Sequence, residues 1–421
     1  MTSLTQQKIQ PKITFIVAYQ GVLAVAAILI FFTRLDIYLG DRGIGMPLLW
    51  MIAFIVVSFP LFLSLLKKHK PISIPIVFWC GVYLAFPSIS ILILPKIPNL
   101  QYLENQIRTV IFLLLMLVIF SYHPLVSKWV KLTISLVTFI NIGMFIYEFF
   151  HPFAFYLEPV APGRSSGFYE DANTAAITVI LSMIFTIDWF KPKYRIFYVL
   201  FILLGIAPTF SRGGIVGWFL VVLVFMVTKV IPRHQISFLF LSIFILISIL
   251  STQINNLKYI KTADGTKLFT ENTITRVEFL IDPFGQKDKS SDTRLDILDE
   301  SWQRFTRQPF IGQGLGSGES DSMAAVQMEG VGERSHNMYL DKMLEYGFLG
   351  ALLYPWLIFA SVWKVEGEFK KQAIAFVIFL LSQGIFTHTL LSEFCSLSVY
   401  AIMANFTQHS YTNHQSKLRN V

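Results

Sequence analysis

Three basic residues in this chain have the type and setting for phosphate chemistry. They are Arg212 in Ser211-Arg212-Gly213-Gly214, Arg294 at the head of an amphipathic stretch, and His336 in Arg334-Ser335-His336-Asn337. A guanidinium pairs with phosphate oxygens in two-point geometry, and a helix N-terminus adds N–H donors and a favourable dipole for the same charge. Arg212 precedes one apolar run and His336 opens another helical stretch. An imidazole with an ordinary pKa of about 6.5 suits proton abstraction from a hydroxyl, and a helix N-terminus favours its neutral form. Each residue also has a plainer reading. Arg212 can snorkel to lipid headgroups, Arg294 can pair with Asp296 or Asp299, and His336 can simply begin a helix. What weighs against three coincidences is their expected placement on one face of a membrane, which follows from the elements around them.

Of 421 residues, 54% are hydrophobic and only 14% charged, and the mean hydropathy is +0.59. Those values lie outside the range of soluble domains, and the expected fold is an all-α polytopic membrane protein. A spanning helix needs about 20 apolar residues, because lipid offers the backbone no hydrogen-bond partner. On that measure about twelve transmembrane helices are expected, at 13–32, 46–66, 72–94, 107–122, 132–150, 173–190, 196–208, 215–231, 236–251, 347–363, 373–389 and 391–406. Basic clusters such as Lys67-Lys68-His69-Lys70, Lys191-Pro192-Lys193-Tyr194-Arg195 and Lys370-Lys371 fall on one side at every short turn. The positive-inside rule makes that side, with both termini, cytoplasmic, and puts Arg212, Arg294 and His336 on the outer face. The same bias accounts for the formal charge of +8, so no nucleic-acid partner is implied. The run 13–32 is too long for a signal-peptide core and is expected to be an uncleaved first span. Cys80 and Cys395 sit in apolar runs without ligand spacing and read as buried small hydrophobes.

The chain divides into residues 1–252 with nine spans and short loops, a large partly helical loop over 253–346, and residues 347–421 with three spans and a cytoplasmic tail. The polar stretch from Gln253 to Ser335 holds ten Lys or Arg and thirteen Asp or Glu, a net charge of −3, so it is no general polyanion trap and its arginines must act locally. Within it a helix is expected over 293–307, with Asp292 as N-cap and Leu295, Leu298, Trp302 and Phe305 along one face. A second helix is expected from Ser335 as N-cap, carrying Met338, Leu340, Met343 and Leu344. The glycines of 309–318 do not make a nucleotide loop, because no strand precedes them. Glu319-Ser320-Asp321 is the nearest approach to a metal motif, but it lies in a Ser/Gly-rich loop, and the metal ligand set is expected to be none. Asp292, Asp296, Asp299 and Glu300 have the spacing of a solvated helix face rather than of a catalytic carboxylate pair. Transporters carry ionisable groups near the midplane and repeated halves, whereas these spans are nearly free of charge. Arg164, Arg304, Arg334, Asn337 and His388 are secondary candidates for substrate contact, with interfacial packing the alternative for His388.

His336-Asn337, nine further residues and then Gly347-Phe348-Leu349-Gly350 together resemble the His-Asn/Ser/Gln-x9-Gly-x-x-Gly signature of the O-antigen ligase family of membrane proteins. Arg294-Leu295-Asp296-Ile297-Leu298 is similar to that family's Arg-x-x-x-Leu element, and Ser211-Arg212-Gly213 to its Ser-Arg-Gly element, in the family order. The segment from Arg164-Ser165-Ser166-Gly167-Phe168 to Asn173 is also similar to these proteins. The resemblance covers roughly 164–363, and the flanks match only in hydropathy. The family includes O-antigen ligases, O-antigen and exopolysaccharide polymerases, and protein O-oligosaccharyltransferases. The resemblance implies a GT-C-like fold and an inverting, metal-independent glycosyltransferase without cofactor, working at the periplasmic face of a bacterial inner membrane among its lipids. Its donor would be an undecaprenyl-diphosphate-linked glycan, moved en bloc to lipid A-core oligosaccharide. A growing glycan or a protein (pilin) serine is the alternative acceptor. By the same resemblance His336 is the base, and Arg212 and Arg294 hold the diphosphate.

Overall fold

The computed structural model describes residues 14–68, 73–93, 100–121, 123–156, 163–257, 259–261, 265, 269–281, 289–318 and 335–419. Among them the chain is helical, with no β-strand. Among the described residues, six helices are long and apolar enough to cross a membrane. These are α1 (Phe15–Ala27, continued by a π-helical turn at Ile28–Phe32), α3 (Pro47–Lys68), α4 (Ile74–Ile93), α5 (Leu100–Ile119), α6 (Pro124–Phe150) and α7 (Ala172–Thr186, extended by a 3-10 turn to Trp189). The short α2 (Leu35–Gly40) follows α1. The other stretches expected to span overlap α8 (Arg195–Ile206), α9 (Arg212–Val227), α10 (Ile236–Leu257), α14 (Leu353–Ser361), α15 (Lys370–Gln383) and α16 (Phe394–Arg419), which are not among those six. The long loop supplies α11 (Glu271–Ile281), α12 (Lys289–Arg307) and α13 (Met338–Tyr346).

Several boundaries move for local reasons. The span expected from 132 begins at Pro124, because His123 accepts the Leu125 N–H at 3.3 Å and proline occupies the first turn, where its missing N–H costs nothing. The span expected from 107 begins at Leu100. Its polar first turns are stabilised by an Arg108–Glu104 pair at 2.6 Å and by Gln106 donating to the Tyr346 hydroxyl. In the loop, α12 starts at Lys289, so Asp292 lies inside the helix rather than at its cap. The α13 cap is Asn337, not Ser335: its side-chain oxygen accepts from the Tyr339 and Leu340 N–H groups at 3.0 and 3.1 Å. The helix α11 falls where no helix was expected.

One continuous apolar core joins the spans. At its centre stands α7, with 83% of its spanning window buried against 28% for α3 at the rim. Around α7 pack α6, α8, α9 and α15, and α9 lies along α15. One end of this group carries the basic residues. Lys131 at the start of α6 pairs with Asp188 beyond α7 at 2.5 Å, and Arg195 at the start of α8 donates to the Val230 carbonyl beyond α9 at 2.9 Å. The start of α7, the start of α9 and the end of α15 therefore share the opposite end.

The nine residues between Asn337 and Gly347 are one helix, α13, from its cap to its stop. Gly347 ends it at φ +71°, and a Cβ there would lie 2.3 Å from the Phe310 carbonyl oxygen. A Cβ on Gly350 would lie 1.9 Å from the Lys342 carbonyl oxygen. The freed space admits the 309–318 loop, which is sewn on by Phe348 N–H to the Pro309 carbonyl at 2.9 Å and Gln313 N–H to the Leu344 carbonyl at 2.7 Å. Behind α13, Lys342 is buried between Glu345 at 2.5 Å and Asp341 at 3.5 Å. At its front, the Met338 N–H donates to the Gly384 carbonyl at 2.8 Å and the Tyr339 hydroxyl to Leu381 at 2.7 Å, fixing α13 to the end of α15. Both close approaches are to backbone, which cannot rotate away, so Gly347→Ala and Gly350→Ala are each expected to cost on the order of 3 kcal/mol. Thermal unfolding of the purified protein should show a drop of at least about 5 °C for each. Gly81→Ala and Gly143→Ala, with nothing within 4 Å of the added carbon, should leave the melting temperature unchanged.

Candidate functional site

Arg212, Arg294 and His336 line one cleft of about 400 Å³ at the end of the bundle away from the basic turns. Five helices and two connecting segments contribute to it. The start of α7 supplies Asn173 and Ile177; the start of α9 supplies Ser211, Arg212, Gly213 and Val216; α11 supplies Arg276; and α12 supplies Arg294, Leu295 and Leu298. Ser335 and His336 precede α13, Gln383 ends α15, and Ile385 to Thr387 follow it. The lining among the described residues thus holds three arginines and one histidine but no carboxylate, over a largely aliphatic floor.

A hydrogen-bonded frame holds the start of α9. Ser211 caps the helix by accepting the Gly214 N–H at 3.1 Å, and its hydroxyl donates to the Asn173 side-chain oxygen at 2.9 Å. That oxygen also accepts from the buried Arg164 guanidinium at 2.8 Å, while Arg164 Nε donates to the Thr209 carbonyl at 2.8 Å. Asp171 caps α7 through the Asn173 and Thr174 N–H groups at 3.2 and 2.9 Å, which fixes Asn173 in turn. A Cβ on Gly214 would lie 2.6 Å from the Ala176 side chain, so the close contact of α9 with α7 depends on that glycine. On the other flank, Gln383 donates to the Gly213 carbonyl at 3.1 Å. Arg212 is therefore the first helical residue of a segment held on two sides.

Burial, then repulsion from Arg276, Arg294 and Arg212, pulls the Arg164 guanidinium down to about 10, against the attraction of Asp171. His336 is lowered to about 4, first by burial and then by Arg294, with Asp171 opposing. Its backbone is left-handed at φ +50°, a conformation non-glycine residues seldom adopt, and histidine is among the residues that tolerate it best. The His388 ring packs edge-on against it, with centroids 5.2 Å apart.

The remaining candidates take other places. Arg164 stands behind the cleft wall as a strut. Arg304, at the far end of α12, donates to the Ser317 carbonyl at 2.7 Å and holds the 309–318 loop. Asn337 is the α13 cap. Arg334, Glu319 and Asp321 lie outside the described residues. Among the described residues no three His, Cys, Asp or Glu side chains group closely enough to hold a metal. The sequence reading missed Arg276 and Gln383. Arg276 lies in a stretch of α11 whose alternation of Ile274, Val277 and Ile281 with charged residues carries a helical period, and that period was the available signal. Gln383 sits in an apolar run and had none.

No curated protein matches the chain. Residues 197–354 match the family model described as O-Antigen ligase, a span that contains Arg212, Arg276, Arg294, His336 and both glycines of the Gly-x-x-Gly element. Much of the cleft, with the helices α9, α11, α12 and α13, thus lies in the stretch that is similar to the O-antigen ligase family, within a helical chain of membrane-protein character.

Proposed function

We propose that this protein is an O-antigen ligase-type glycosyltransferase that moves a glycan en bloc from undecaprenyl diphosphate to lipid A-core oligosaccharide at the periplasmic face of the inner membrane. The observation that carries this reading is the meeting of Arg212, Arg294 and His336, from three distant parts of the chain, in one cleft whose lining among the described residues holds no carboxylate. The cleft lies at the end of the bundle opposite the Lys- and Arg-rich turns, which suits an outer-face site in a twelve-span protein with both termini cytoplasmic. Its volume falls in the range of small-molecule sites of roughly 300–1,000 Å³, enough for a diphosphate and its first sugar, with the rest of the glycan outside. Its aliphatic floor suits a lipid-linked donor.

In the proposed reaction the acceptor hydroxyl gives its proton to a His336 ring nitrogen, and its oxygen attacks the anomeric carbon of the first sugar from the face opposite the diphosphate. The bond from that carbon to the diphosphate oxygen breaks, its electron pair leaves with the diphosphate, and the anomeric configuration inverts. Arg212 and Arg294 neutralise the charge that gathers on the leaving group, and no metal or cofactor is assigned a role. His336, lowered by burial and by Arg294, is neutral but a weak base. An anionic donor raises its proton affinity, so the base strengthens when the donor is in place. The acceptor distinguishes the ligase from two relatives, a glycan polymerase and a pilin O-oligosaccharyltransferase. Deleting the gene and comparing lipid-linked glycan, surface polysaccharide and pilin mobility separates the three. Long unattached chains support the ligase, accumulated single repeat units a polymerase, and a pilin shift alone a protein transferase.

His336→Ala is expected to lower turnover about 10²–10⁴-fold with donor binding retained, and full activity in that variant removes His336 from the mechanism. Arg212→Lys and Arg294→Lys are expected to weaken donor binding at least about tenfold, because a single ammonium cannot reproduce two-point geometry. A depressed histidine pKa means activity is present above it and lost as pH falls through it. The acid limb of kcat/KM, which reports the free enzyme, is therefore expected near pH 4. The acid limb of kcat should lie at higher pH, since the bound diphosphate raises the same group, and Arg294→Gln should raise the kcat/KM limb. Coincident limbs in kcat and kcat/KM count against His336 facing the donor.

A further inference from the structure

We infer that Glu393, clamped by Arg34, is a positioning residue that joins two walls of the cleft, the start of α7 and the segment after α15; the inference rests on the reading of the cleft as the site of glycan transfer. Both residues lie outside the stretch 197–354 that matches the family model. Arg34 stands between the end of the first span and α2 in a left-handed conformation, φ +57°, and Glu393 is the last residue before α16. Their side chains are only 13% and 14% exposed, and Arg34 Nη1 donates to Glu393 Oε1 at 2.9 Å. A pair this sheltered holds its two elements together, because either charge alone would be stranded away from water.

The other carboxylate oxygen has a second task. Glu393 Oε2 lies 3.3 Å from the Thr174 hydroxyl, in the first turn of α7, and that hydroxyl is 3.0 Å from Asp171 Oδ2. Thr174 has one hydrogen to share between two acids, an arrangement that a neighbouring cation makes tolerable, and Arg34 stands beside Glu393 to supply it. Asp171 caps α7 and fixes Asn173, whose side-chain oxygen accepts the Ser211 hydroxyl beside Arg212. One end of the link thus reaches the Arg212 wall. The other end is the chain itself. Between Gln383, whose amide holds the Gly213 carbonyl, and Glu393 the chain brings Ile385, Phe386 and Thr387 into the cleft lining and sets His388 against the His336 ring. Its return is fixed by Thr109 donating to the Leu391 carbonyl at 3.1 Å and by Phe394 stacked on Phe112, with centroids 4.1 Å apart. An amide at position 393 has a single acceptor oxygen, so it can accept from Arg34 or from Thr174 but cannot give each its own oxygen.

The test uses the full chain in lipid nanodiscs and two readouts: glycan transfer from the undecaprenyl-diphosphate-linked donor to lipid A-core oligosaccharide, and carbethoxylation of His336 by diethyl pyrocarbonate at neutral pH, followed by mass spectrometry. Glu393→Gln and Thr174→Val are each expected to lower kcat about tenfold with the donor KM within about threefold, and to quicken His336 modification at least about threefold, since a displaced wall costs the transition state more than it costs binding. The double variant should fall no further than either single one, because both remove the same link. Arg34→Lys should keep most of the activity, as one ammonium can meet Glu393 Oε1, whereas Arg34→Gln should match Glu393→Gln. Asp188→Asn, which breaks the ion pair with Lys131 at the opposite end of the bundle, should change neither readout. A lower melting temperature with kcat and His336 modification unchanged makes the pair merely structural and overturns the inference, and losses that multiply in the double variant overturn the shared link. If Glu393→Gln does not fold, Thr174→Val decides, since it removes one hydroxyl and leaves the ion pair intact. Loss of transfer in His336→Ala together with full activity in Glu393→Gln and Thr174→Val overturns the inference and leaves the cleft standing. If His336→Ala transfers as fast as the unmodified protein, or the unmodified protein does not transfer, the reading of the cleft itself fails.

Discussion

Mutual repulsion among arginines held at the mouth of an apolar bundle is the constraint to which the rest of the structure answers. Burial first, and then repulsion from Arg276, Arg294 and Arg212, pull Arg164 down to about 10, against the attraction of Asp171. Cations do not gather at a membrane boundary unless each is held from its own side. Here the holding is divided. Arg164 is tied to Asn173 and the Thr209 carbonyl, Arg212 opens α9 from a capped and clamped turn, and Arg276 and Arg294 ride on separate loop helices. The Arg164 guanidinium is held by the Asn173 amide and the Thr209 carbonyl, and Gln383 holds the Gly213 carbonyl beside Arg212.

The long loop serves this purpose by docking rather than by covering. α11 is anchored through Phe210 and Val277, and α12 through Leu298 and Phe305 against Leu340, Met343 and Leu344 of α13. α13 is in turn bound to the end of α15 by backbone and tyrosine hydrogen bonds. The chain of contacts from α15 through α13 to α12 brings Arg294 into the same cleft as Arg212. The buried Lys342–Glu345 pair adds to the precision of α13, since a charge buried there with its partner removed is far costlier than the intact pair.

The His336 environment follows from the same arrangement. Burial first and then Arg294 lower the proton affinity of the imidazole, against the attraction of Asp171, and an anion held beside it would raise that affinity again. In the proposed mechanism this couples proton abstraction to donor occupancy, so the base is strong only when a glycan is there to be transferred.

The amino-acid sequence by itself determined the helical membrane character, because apolar runs of spanning length have no other stable form in lipid. It also determined the candidate residues Arg212, Arg294 and His336, whose local spacings persist as physical objects. The nine residues after Asn337 are the length of α13, and Ser211-Arg212-Gly213-Gly214 is a capped helix start with a glycine at its closest contact. Helix starts at Pro124 and Leu100 were missed because capping and a buried amide, not hydrophobicity, set them. Only the tertiary structure decided that Arg164 is a strut while Arg276 lines the cleft, since both are isolated arginines in sequence and differ only in what packs around them. It also decided that Gln383, invisible in an apolar run, borders the cleft. A cleft assembled from five helices and the segments beside them depends on which helix ends lie side by side, and that is set by packing over distances that local sequence patterns do not encode.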